Sequence, residues 1–167
     1  MLTLVERQIL YNQYRILSLL DEDGKDSYER KMKVFEYGYV SIYDDVVNVN
    51  KDEVSESDCD FVNDVLVMFS DLYYSYNELT DKSTISEILI TFDGFDANNE
   101  TGMYSYTLFL IKEYGRYKEF SDRSLNSHGP RIKRYQEMLN TYKEIRDRSR
   151  LKSYLNVEEI LSIIKTK

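Results

Sequence analysis

The chain is poor in several residue types that usually carry chemistry. Among its 167 residues there is one cysteine (Cys59), one histidine (His128), one proline (Pro130), one alanine (Ala97) and no tryptophan. A single cysteine excludes an internal disulfide and any multi-cysteine zinc site. A single histidine excludes the H-E-x-x-H motif and every multi-histidine metal site. Neither G-x-G-x-x-G nor G-x-x-x-x-G-K-[ST] occurs, so both common phosphate-cradling loops are missing. No apolar run approaches membrane-span length, and the N-terminus is charged by its sixth residue, which does not fit a secretory signal. The expectation is a cytoplasmic protein with no membrane segment and no cofactor.

What is present fits a folded domain. Hydrophobic residues make up 42% and charged residues 31%, too apolar for a disordered tail. The length suits one domain with a real core. Sixteen tyrosines accompany abundant Asn, Ile and Lys, the profile of an AT-rich coding sequence, so they read first as ordinary core and surface residues. The net charge of −8 argues against broad nucleic-acid coating. It is unevenly distributed: residues 1–111 carry 8 basic and 22 acidic groups (−14), and residues 112–167 carry 14 and 8 (+6). Nucleic acid is therefore disfavoured as a partner, yet a local phosphate site within residues 112–152 stays open.

Apolar spacing predicts an all-α fold of about six helices in one compact domain covering residues 1–167, with a short extended connector near residues 86–95. Thr3 and Glu6 form a capping box for a first helix of about 17 residues ending at Asp21-Glu22-Asp23-Gly24. Ser27 is expected to cap a second helix running to about Tyr39, and a short third piece falls near Ile42 to Val47. An acidic stretch from Asp44 to Asp64 holds eight carboxylates, with Ser55 and Ser57 as alternative caps. The helix that follows has the clearest pattern: Val62, Val65, Phe69, Leu72, Tyr76 and Leu79 step by 3, 4, 3, 4 and 3. Such a seam packs lengthwise against another helix, in a bundle core ahead of a dimer seam. Asp96 or Asn98 caps a helix to about Tyr114, closed by Gly115. A helix after Pro130 carries Ile132, Tyr135, Leu139 and Tyr142, and Asn156 caps a last short helix.

Few residues offer chemistry. Asp21-Glu22-Asp23-Gly24-Lys25-Asp26 imitates a calcium loop but has Gly at its fourth position and Lys at a ligand position. An oxygen-only magnesium site in the acidic stretch is secondary to a solvated face. Cys59 sits among carboxylates at a helix start, where the opposing effects license no activated thiolate. Arg123 and His128 have the Arg-x-x-x-x-His spacing and resemble the motif of HEPN-type ribonucleases, with His as acid or base and Arg on the scissile phosphate. Gly129-Pro130 directly after the histidine departs from that motif. The most specific local signature is Thr91-Phe92-Asp93-Gly94-Phe95-Asp96 together with Tyr114-Gly115-Arg116-Tyr117. Its Asp93, Asp96, Arg116 and Tyr117 form either a polar pocket or a structural Asp–Arg clamp.

Four segments carry a wider resemblance: Arg7-Gln8-Ile9-Leu10-Tyr11-Asn12-Gln13-Tyr14, the turn at residues 91–96, Gly115-Arg116-Tyr117 and Tyr135-Gln136-Glu137-Met138-Leu139. In order and spacing they resemble the bacterial YfbU family, over nearly the whole chain. The resemblance implies a small cytoplasmic helical protein and leaves its biochemical role open. It directs attention to Asn12, Gln13, Tyr14, Asp96, Arg116, Tyr117 and Tyr135. His128 lies outside these segments. The leading functional expectation is a non-enzymatic homo-oligomer with an interaction or regulatory role, its subunits paired through the acidic front and basic rear. The rivals are an RNA- or nucleotide-directed enzyme using Arg123 and His128, and a nucleic-acid-binding module on the helix from Pro130 to Arg150. The sequence defines no small-molecule ligand.

Overall fold

The computed structural model describes residues 2–47, 53–148 and 154–165, and no strand occurs among them. The chain reads as one domain in sequence because no Gly/Pro-rich linker divides it. Its contacts cluster into two compact units, Met1–Lys51 and Asp52–Lys167.

The N-terminal unit is a helical hairpin of α1 (Leu4–Leu20) and α2 (Lys25–Tyr37), followed by a 3-10 turn at Val40–Ile42 and the single turn α3 (Tyr43–Val46). The expected capping box is present: Thr3 Oγ1 accepts from the Glu6 amide at 3.2 Å, and the Thr3 amide donates to Glu6 Oε2 at 2.7 Å. Ser27 is not the cap of α2. The helix starts at Lys25, because Asp21 accepts from the Gly24 amide at 3.1 Å and from the Tyr28 hydroxyl at 3.0 Å, closing the turn earlier. Gly38, left-handed at φ 72°, ends α2 two residues before the expected position. Arg7 donates to the orphan carbonyls of Phe35 and Glu36 at 2.8 Å each, pinning α1 to the end of α2. The small core joins Val34, Phe35, Tyr43 and Val46 with Leu10, Tyr11 and Tyr14.

The larger unit is organised by α4 (Glu56–Glu78), capped by Ser55 rather than Ser57. Val62, Val65, Phe69 and Leu72 of its seam are 0–1% exposed, packed within this unit against α5 (Thr101–Leu108), α6 (Ile132–Arg148) and α7 (Val157–Ile164). The seam therefore builds the chain's own core and is closed to a second copy. The helical run that begins with α5 reaches Glu113, close to the expected Tyr114, by widening into a π-helical turn at Phe109–Glu113 before Gly115, at φ 74°, ends it. Asn156 caps α7 with a second capping box. The connector is extended only in part, since Glu87–Ile90 winds into a 3-10 turn and residues 91–95 then run on to one isolated bridge. Phe69, Phe92, Phe95 and Tyr135 meet ring to ring at 5.2–6.0 Å beneath that segment.

Candidate functional site

Two polar segments cross over the aromatic cluster. The Phe95 amide donates to the Leu125 carbonyl at 3.1 Å, and the Ser127 amide donates back to the Phe95 carbonyl at 3.1 Å. The approach is close enough that Gly94, at φ 86°, faces the Leu125 backbone with no room for a Cβ. From below, the Tyr135 hydroxyl donates to the Gly94 carbonyl at 3.0 Å. Burial holds the Tyr135 phenol far above its ordinary range, so it stays a neutral donor. Above the crossing opens a cavity of about 410 Å³, lined by Thr91, Asp93, Arg123, Ser124, Asn126, Ser127 and Arg131.

The expected cluster of Asp93, Asp96, Arg116 and Tyr117 does not assemble. Asp93 lies at the cavity and pairs instead with Arg131 at 3.5 Å and Arg134 at 3.8 Å. Asp96 is buried and turns the chain into α5: it accepts from the Asn98 amide at 3.0 Å and from Asn99 Nδ2 at 2.5 Å, and these bonds hold its carboxyl below the usual range. Arg116 is exposed and lies over the Tyr117 ring at 5.2 Å. Asp93 is held beside Arg131 and Arg134, and Arg116 stays on the surface beyond the π turn and the left-handed Gly115.

Glu100 is the residue that sequence reasoning missed. It is 5% exposed, and its carboxylate accepts from three backbone amides: Asp96 at 2.9 Å, Arg131 at 2.6 Å and Ile132 at 2.9 Å. A residue at the start of α5 thus caps α6 from 32 positions away in sequence. Nothing local marks that role, because the cap comes from another element.

Arg123 is exposed and lines the cavity, with Nη1 donating to Thr91 Oγ1 at 3.1 Å. His128 does not line it; at φ 52° its amide donates to Asn126 Oδ1 at 3.0 Å. The remaining family-like positions lie elsewhere. Asn12 accepts from Gln8 Nε2 at 2.9 Å on exposed α1, and Gln13 is exposed beside it. Tyr14 is a packing residue, stacked on Phe35 at 5.8 Å with its hydroxyl donating to the Val46 carbonyl at 2.6 Å.

No group of three His, Cys, Asp or Glu side chains converges as a metal site among the described residues. Asp52 of the acidic stretch lies outside them. Burial, and then Asp58, Asp60 and Glu56, push the Cys59 thiol up, away from an activated thiolate. Among the described residues, no helix is long and apolar enough to cross a membrane.

The basic residues considered for nucleic acid are largely engaged by carboxylates. Beyond Arg131 and Arg134 on Asp93, Lys143 meets Asp64 at 2.6 Å, and Arg146 meets Asp71 at 2.6 Å. Acidic α4 thus faces basic α6 inside one unit, which takes up part of the front-to-rear charge complementarity. Arg150 lies outside the described residues.

The sequence matches the family model described as YfbU domain over residues 1–166, in agreement with the four short segments noted from sequence, and the chain belongs to the YfbU family.

Proposed function

We propose that the protein is a non-enzymatic, self-associating interaction or regulatory protein whose copies pair along α1. The observation that carries this reading is a second apolar face on that helix. Leu10, Tyr11 and Tyr14 pack onto the small core with α2. The opposite stripe, Val5, Ile9, Asn12, Ile16 and Leu19, steps by 4, 3, 4 and 3 and faces away from the small core of its own unit, with its four aliphatic members 50–77% exposed. A helix apolar on both sides is normally covered on both, and this spacing suits lengthwise packing against another helix.

A second copy fits the pattern. Two apolar positions stand on each side of the central polar Asn12, so an antiparallel copy on a two-fold axis near Asn12 lays apolar positions on apolar positions, a self-complementary patch. With Leu20, the stripe offers roughly 200–400 Å² of apolar surface per copy, taking about 60–120 Å² for each fully exposed side chain. A standard interface buries roughly 450 Å² of apolar surface per partner. The supply therefore suits a modest, concentration-dependent dimer. Because the contact is apolar, it should persist at high salt, unlike an association through charged halves.

Sedimentation velocity across a concentration series at low and high salt tests this reading. The expected result is a dimer or larger species at both salts for the natural sequence, and a folded monomer for Ile9→Lys/Ile16→Lys. A natural protein that stays monomeric throughout, or a double variant that associates equally well, removes the proposal.

A further inference from the structure

We propose that the cavity above the crossing of residues 91–95 and 123–127 binds the phosphate group of a small phosphorylated molecule. This goes beyond the self-association reading and rests on the other unit of the chain.

Three side chains in its lining keep donors unused. Thr91 Oγ1 donates to the Glu87 carbonyl at 2.8 Å and accepts from Arg123, so Thr91 serves to hold the guanidinium in place. That bond employs one of the five N–H donors of Arg123. In a chain with 30 carboxylates, Arg123 forms no ion pair among the described residues. Asn126 Oδ1 already accepts from the amides of Ala97 at 3.3 Å and His128 at 3.0 Å, which leaves its Nδ2 as the free end. Ser124 Oγ accepts from the Asn126 amide at 3.4 Å and keeps its own proton to give. The Ser127 hydroxyl is already engaged with the Gly129 carbonyl.

A cationic fork, an amide N–H₂ and a hydroxyl proton, all on residues that line the cavity, form a donor set for an oxyanion. The one carboxylate present, Asp93, is balanced by two arginines, so the local charge with Arg123 is positive despite the chain's net −8. A volume of about 410 Å³ accommodates a phosphate with a small organic body attached. Donors in three separate groups suit the several oxygens of a phosphate better than the two of a carboxylate.

The test is an NMR titration of the full chain with inorganic phosphate, ribose 5-phosphate, ribose and acetate at constant ionic strength. The expected result is that both phosphates shift the amide signals of residues 123–127, with a dissociation constant on the order of 1 mM or below. Ribose and acetate should leave them in place. Arg123→Gln, at an exposed position where folding is preserved, should weaken both phosphates at least tenfold, since it removes a charge-assisted donor. Arg116→Gln, an exposed arginine outside the cavity, should bind as the natural sequence does. No response to phosphate, an equal response to acetate, or unchanged binding in Arg123→Gln overturns the site. An unphosphorylated RNA oligonucleotide that binds more tightly than ribose 5-phosphate, and loses that affinity in Arg123→Gln, overturns the small-molecule assignment.

Discussion

Gly94 and Gly115 provide a controlled comparison of the crossing that builds the cavity. Both are left-handed, at φ 86° and 74°, so alanine at either position meets a similar backbone penalty of about 1–2 kcal/mol. They differ in space. A Cβ at Gly115 would find nothing within 4 Å, whereas one at Gly94 would lie 1.8 Å from the Leu125 carbonyl oxygen and 2.2 Å from its carbon. Both atoms are backbone and cannot rotate away, so the two segments must separate by more than an ångström. That movement breaks the paired Phe95–Leu125 and Phe95–Ser127 hydrogen bonds and strips the buried Tyr135 hydroxyl of its Gly94 acceptor. A buried polar group left without a partner costs about 1–3 kcal/mol. Gly94→Ala should therefore be destabilising by at least about 4 kcal/mol, roughly 3 kcal/mol beyond Gly115→Ala. In thermal unfolding followed by far-ultraviolet circular dichroism, the gap corresponds to a Tm lower by roughly 10 °C. Equal midpoints for the two variants would refute the crossing and, with it, the geometry of the cavity floor.

Three further outcomes follow from specific contacts. Glu100→Ala should lower stability by about 2–4 kcal/mol in urea unfolding, since three buried amides lose a charged acceptor; Glu100→Gln, which keeps one acceptor oxygen, should lose less. Burial and the neighbouring Asp71 push the Tyr142 phenol up to about 12 from an ordinary value of 10. A proton held more tightly in the folded state contributes stability that is complete below pH 10 and is lost as the pH climbs from 10 towards 12. Unfolding midpoints measured across that window should fall for the natural sequence and fall less for Tyr142→Phe. Cys59, its thiol raised by burial and nearby carboxylates, should react with iodoacetamide at pH 7 more slowly than a free cysteine.

The sequence alone determined the local features. Helix type follows from apolar spacing, and the caps at Thr3, Ser55 and Asn156 act within a single turn, so both are written in adjacent residues. The 3-4 seam of α4 correctly marked a core helix, because burial of that face is a property of the helix itself. The start of α2 departs from the Ser27 cap because Asp21 closes the turn first, accepting from the Gly24 amide and the Tyr28 hydroxyl.

Tertiary structure alone decided which polar groups meet. Asp93 was legible as a candidate, but its partners Arg131 and Arg134 lie on another element, and Arg116 is carried away by the π turn and a left-handed glycine. Glu100 caps a helix that begins 32 residues later, and Arg123 reaches Thr91 from the same separation. Pairings of this kind depend on how the helices stack. Stacking is set by the summed shape of many side chains around α4, which no short segment of sequence records.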